Sequence, residues 1–94
     1  MLLVLTAAFE FIGVFVLFVV YWLYRFKSFF SFTMGVTFTA FCLFSGNSVT
    51  LNPALTLGSI LNQTVALKDG LFLLLVQALA ASLASYFVRY LPAL

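Results

Sequence analysis

The sequence predicts an all-α membrane protein with three transmembrane helices, near residues 2–24, 29–45 and 70–91, and one re-entrant half-helix near 53–61. Three observations carry that expectation. Of 94 residues, 66% are hydrophobic and only 6% charged, with a mean hydropathy of +1.29; an ordinary soluble domain has about a quarter charged residues, and a globule this small could not bury so much apolar surface. The apolar residues gather into three long runs, which matches about three crossings at ~20 residues each. Between the second and third runs lies a short apolar stretch opened by Asn52-Pro53, roughly half a bilayer long.

The first run is Leu2 to Tyr24, broken only by Thr6 and Glu10. At ~1.5 Å per residue it spans roughly 34 Å, enough to cross a hydrocarbon core with some tilt. A cleaved secretory signal needs a basic segment before a shorter apolar stretch. Nothing basic precedes Leu2, so a membrane span is the expectation. Tyr21, Trp22 and Tyr24, followed by Arg25 and Lys27, form the aromatic-then-basic border of a membrane interface.

The second run, Phe29 to Phe44, covers roughly 24 Å and ends at the turn-forming Ser45-Gly46-Asn47-Ser48. Asn52 is suited to cap a helix, and Pro53 to its first position, where a missing N–H costs nothing. Leu55, Leu57, Ile60 and Leu61 then carry a helix to about residue 61. Asn62 to Gly70 is polar, holds Lys68 and Asp69, and reads as a surface loop. Within it Asn62-Gln63-Thr64 matches the glycosylation pattern, a match too short and too near the membrane to carry weight. The last run, Leu71 to Leu91, closes on Tyr86, Arg89 and Tyr90, with Pro92 as a stop. Its small residues recur at 78/82, 80/84 and 81/85, spacings that let helices approach closely in lipid. Ala78, Ala81, Ser82 and Ser85 are the expected packing face, together with Gly13 on the first helix.

Composition also removes most chemistry. There is no His, and Glu10 and Asp69 are the only acids. Metal sites and general acid–base pairs need more ligands or titratable groups than that, so no enzyme, metal or cofactor is expected. Cys42 is alone and reads as a small buried hydrophobe. The four cations, Arg25, Lys27, Lys68 and Arg89, are scattered, and no nucleic-acid partner is expected. The expected surroundings are the lipid bilayer, in an integral membrane protein whose membrane stays open.

Two polar residues within apolar runs need a reason, because an ionisable group inside a span is costly and usually functional. Glu10 lies too deep for a short acid to snorkel easily, and Gly13 and Leu17 share its face by helical spacing. It can brace exposed backbone N–H groups, for which the irregular 45–51 stretch is the candidate. Gln77 in the last run is a second such buttress, or else an interhelical hydrogen bond. Asn52, Pro53 and Ala54 form the sharpest site. A half-helix aimed inward presents its partial positive end and free N–H groups to a passing oxygen, which suits a neutral hydroxylic solute and repels cations. An ordinary loop-to-helix cap at the surface would use the same residues.

The run Asn52-Pro53-Ala54-Leu55-Thr56-Leu57 resembles the Asn-Pro-Ala-Val-Thr-Leu signature of the aquaporin/aquaglyceroporin (major intrinsic protein) family. Ser45-Gly46 upstream, Glu10-Phe11-Ile12-Gly13-Val14-Phe15 in the first run and Gln77-Ala78 in the last are similar to other family hallmarks, in the same order along nearly the whole chain. The resemblance is to the first of the two inverted halves that family members join in one chain. It implies that residues 1–94 form one half domain, that Asn52 orients solute at the midplane, and that Glu10 braces the loop. Two departures accompany it: Thr50 stands where a His is common, and Leu55 stands where the second half has its selectivity arginine. Two functions follow as expectations. One is a channel half that pairs with a second half, identical or different, around a pore for water or small neutral solutes. The other is a non-conducting accessory subunit of a larger membrane complex that keeps the half-aquaporin fold. An open path past Asn52 favours the first, and a path plugged by some of the 13 Phe side chains favours the second.

Overall fold

The computed structural model describes residues 3–46 and 49–91, in four helices: α1 (Leu3–Tyr24), α2 (Phe30–Phe44), α3 (Pro53–Leu61) and α4 (Leu67–Val88). The chain is all-α, with no strand among the described residues. Two helices, α1 and α4, are long and apolar enough to cross a membrane, at 22 residues each, or roughly 33 Å. The 15-residue α2 is shorter, roughly 22 Å.

α1 buries Ala7, Glu10, Gly13, Val14 and Leu17, a single stripe at spacings of three and four. At its end Arg25 lies 4.5 Å from the Trp22 ring and 4.6 Å from the Phe26 ring. A tight turn, with Lys27 N donating to Tyr24 O at 2.9 Å, starts α2 beside α1. α2 packs against α1 alone and buries none of its own residues. The turn at Ser45-Gly46 follows, with Gly46 at φ +66°; the rest of the expected turn, Asn47 and Ser48, lies outside the described residues.

α3 forms where the capping signals put it. Asn52 is extended, its Oδ1 accepts from Ala54 N at 2.8 Å, and Pro53 occupies the first turn. The helix ends in a Schellman motif, in which Gln63 N donates to Ile60 O and Thr64 N to Ser59 O. Gln63 holds the left-handed position at φ +68°, where glycine is the commoner choice.

The expected surface loop over 62–70 is shorter than the polarity of Lys68 and Asp69 suggested. α4 begins at Leu67, so Lys68, Asp69 and Gly70 are helical. Asp69 falls in the first turn, where an acid complements the helix dipole. Gly70 is buried beneath Ile60, and a Cβ there would collide with Cγ1 and Cδ1 of that side chain. Docking α3 onto α4 thus supplies the packing that a loop would lack. α4 ends at Val88 instead of near 91, and Arg89, Tyr90 and Leu91 continue in i→i−3 turns. Pro92 lies outside the described residues.

Two pairs of contacts fix the directions. Glu10 meets Gln77, and Phe15 meets Phe87 at 5.5 Å between ring centres, so α1 and α4 run parallel. Thr56 meets Gln77 while Ile60 lies over Gly70, so α3 runs antiparallel to α4. Gln77 is the eleventh of the 22 residues of α4, so α3 starts at mid-height of the long helices and ends near the beginning of α4. The core is Val14, Leu17, Val49, Leu51 and Ala80, closed by Phe9, Phe11, Phe15, Phe18, Met34, Phe38 and Phe41.

Candidate functional site

Glu10 is fully buried, and every contact it makes is with a donor. Its Oε2 accepts from Thr50 N at 2.9 Å and from the Thr50 hydroxyl at 3.1 Å, and its Oε1 accepts from Leu51 N at 2.9 Å and Gln77 Nε2 at 3.2 Å. Donors alone suit the acceptor-only character of a carboxylate, and charge-assisted bonds of this type are stronger than neutral ones. The two backbone donors are consecutive, and the second belongs to a residue in an unusual conformation: Leu51 sits at φ +57°, a region that costs a non-glycine residue roughly 1–2 kcal/mol. Its side chain is buried against Gly13, and a Cβ on Gly13 would occupy the space of Leu51 Cδ2.

The carboxylate is one corner of a buried polar cluster. Gln77 Nε2 donates to Thr56 Oγ1 at 2.7 Å and lies 3.2 Å from Thr50 Oγ1. The two threonine hydroxyls are 2.6 Å apart, so one donates to the other, and Thr56 Oγ1 also has Asn52 O within reach as an acceptor, at 3.2 Å. Gln77 Oε1 is buried without a partner among the described residues. Rotating the amide would replace the bond to Glu10 Oε1 by a contact between two acceptor oxygens, so the orientation shown is the favourable one.

Above this cluster the start of α3 is open. Asn52, Pro53, Ala54 and Leu55 are exposed. Of the first N–H groups, Ala54 N is capped by Asn52 Oδ1 and Thr56 N reaches Asn52 O at 3.0 Å. Leu55 N and Asn52 Nδ2 have no acceptor among the described residues. Asn52 lines a cleft of about 550 Å³, together with Leu17, Phe18 and Tyr21 of α1, Met34, Gly35 and Phe38 of α2, and Leu51 and Pro53. That volume falls within the range of small-molecule sites, about 300–1,000 Å³. The cleft exists because α2 leans on α1 and makes no packing contact with α3 or α4.

The expected site residues thus fall into three places. Glu10 and Gln77 meet at the buried cluster, and Asn52 and Pro53 line the cleft, with Ala54 exposed beside them. Gly13 is buried under Leu51. The face expected to pack on α4 divides. Ala80 and Ala84, with Gly70, Leu73 and Gln77, are the buried side within the chain, and Ala81 is half-buried against the core. Ala78, Ser82 and Ser85 are exposed, with the two serine hydroxyls bonded back to Ala78 O and Ala81 O at 2.8 and 2.9 Å. Thr50 and Thr56 belong to the cluster and escaped sequence reasoning; their signal was two hydroxyl residues flanking Asn52-Pro53 in an apolar stretch. Cys42 is half-buried near the end of α2. Among the described residues, no three His, Cys, Asp or Glu side chains lie together to hold a metal. Compared with protein-family models, characterised proteins and solved structures, the chain matches none.

Proposed function

We propose that the chain is a membrane-embedded channel half: α1, α2 and α4 cross the bilayer, α3 re-enters from one face, and a second half completes a pore for water or small neutral solutes. One observation carries this reading. The N-terminus of α3 lies at mid-height of the two long helices, and Asn52, whose Nδ2 has no acceptor among the described residues, lines an open cleft. In lipid, non-helical backbone at such depth is tolerated where protein or a watery cavity satisfies it. Here Glu10 satisfies the loop from below, and the cleft leaves room for solute above. The free N–H groups and the positive end of the helix favour an uncharged acceptor oxygen and oppose a cation.

The accessory-subunit reading has its own support in α2, which buries nothing and exposes Phe32, Val36, Leu43 and Phe44. The test is reconstitution of the purified chain into lipid vesicles, followed by light scattering during an osmotic step with water or glycerol as permeant. Permeability above that of protein-free vesicles, abolished by Asn52→Ala, is the expected result. Permeability at the protein-free level from a folded, inserted chain rejects a pore made by this chain alone. Co-purification with an unrelated membrane protein then supports the subunit reading.

A further inference from the structure

Asn52 is held at three points. Its Oδ1 takes the Ala54 N–H at 2.8 Å, its carbonyl oxygen takes the Thr56 N–H at 3.0 Å, and the same oxygen is within reach of the Thr56 hydroxyl at 3.2 Å. Two of the three contacts therefore come from one residue. Thr56 is also the sole buried residue of α3, with a relative exposure of 1%. Its hydroxyl oxygen accepts from Gln77 Nε2 at 2.7 Å and lies 2.6 Å from Thr50 Oγ1.

We propose that Thr56 is a positioning residue, whose hydroxyl pins the Asn52 carbonyl to the Gln77–Thr50–Glu10 cluster and so aims Asn52 Nδ2 into the cleft. A threonine bonding back to the carbonyl four residues earlier is ordinarily a weak and replaceable contact. Here the hydroxyl is fixed independently by an amide on α4. It has one proton and two acceptors within reach, Thr50 Oγ1 and Asn52 O. The pin is made when Thr50 donates to Thr56, which leaves the Thr56 proton for Asn52 O; when Thr50 donates to Glu10 instead, Thr56 donates to Thr50 and the Asn52 carbonyl keeps only the Thr56 N–H. The Gln77 bond holds the Thr56 oxygen in place in both arrangements. The donor that faces the cleft is thereby referred to two long helices instead of to the exposed first turn of a short one.

What Asn52 meets in the cleft rests on the channel reading; the positioning itself does not, and the test separates them. Thr56→Val keeps the shape and removes the hydroxyl, while Gln77 Nε2 retains Glu10 Oε1 and Thr50 Oγ1 at 3.2 Å each, so the helices are expected to stay docked. Thr56→Ser restores the hydroxyl, and Thr56→Ala repeats the deletion without a second methyl. In ¹⁵N-labelled chain in detergent micelles, the Asn52 side-chain amide signals and the exchange of Ala54 N–H are read. Thr56→Val and Thr56→Ala are expected to move the Asn52 signals and speed Ala54 exchange roughly five- to tenfold, the change from losing one hydrogen bond. Thr56→Ser is expected to match the wild type in both. In vesicles, flux should fall in the two deletions and return with serine. Wild-type signals and exchange in both deletions overturn the proposal, as does a serine variant that behaves like alanine. Absence of flux from the wild type counts against the channel reading alone, because the amide signals still report the positioning.

Discussion

Replacing Glu10 by Ala removes the acceptor for four donors that cannot all find another. The Thr50 hydroxyl can turn to Thr56 at 2.6 Å, and Gln77 Nε2 keeps Thr56 at 2.7 Å. The N–H groups of Thr50 and Leu51, bonded to Glu10 at 2.9 Å each, make no other hydrogen bond among the described residues. Two orphaned backbone donors at roughly 1–3 kcal/mol each predict a loss of about 2–6 kcal/mol, a large part of the ~5–15 kcal/mol that stabilises a typical domain. Glu10→Gln keeps one acceptor oxygen and turns an N–H toward the other donor, so about half of that loss is expected. The assay is denaturant or thermal unfolding of each variant in the same micelle, with amide exchange at Thr50 and Leu51 read alongside. Glu10→Ala within ~0.5 kcal/mol of wild type, or Glu10→Gln less stable than Glu10→Ala, would refute the account of Glu10 as the anchor of the loop.

Four further outcomes test the remaining geometry. Leu51→Gly should unfold no more easily than Leu51→Ala and gain about 1 kcal/mol over it, because φ +57° reverses the usual order of the two residues. Gly13→Ala should cost about 1–3 kcal/mol by driving into Leu51, and the cost should shrink in a Leu51→Ala background, as a double-mutant cycle reads directly. Leu introduced at Ala84, which is fully buried, should destabilise the chain by about 1–3 kcal/mol; Ser82→Leu, on the exposed side, should leave unfolding within ~0.5 kcal/mol and change only association between chains, as read by cross-linking. In a Cys42→Ser background, Lys27→Cys beyond the end of α1 and Ala66→Cys before the start of α4 should label from opposite faces of sealed vesicles, because α1 and α4 run parallel; labelling from one face in the same population contradicts a transmembrane placement of both helices.

The sequence by itself determined what depends on neighbours along the chain. The apolar runs placed α1, α2 and α4 to within a few residues, because hydropathy is a sum over a local window. Asn52-Pro53 placed the start of α3 to the residue, because that cap closes within two positions, from Asn52 Oδ1 to Ala54 N. Glu10 announced a buried partner through its cost in an apolar run. Tertiary structure alone decided the rest. The partners of Glu10 lie 40, 41 and 67 residues away, and the position of Thr50 and Thr56 beside Asn52-Pro53 does not say what their hydroxyls meet. The beginning of α4 at Leu67 depended on Ile60 closing over Gly70, which overrode the polar look of Lys68-Asp69. The small residues of α4 offered three equivalent registers, at 78/82, 80/84 and 81/85, and their spacing alone does not choose between faces. Gln77 chose: its bonds to Glu10 and Thr56 turn Ala80 and Ala84 inward, and leave Ala78, Ser82 and Ser85 outside.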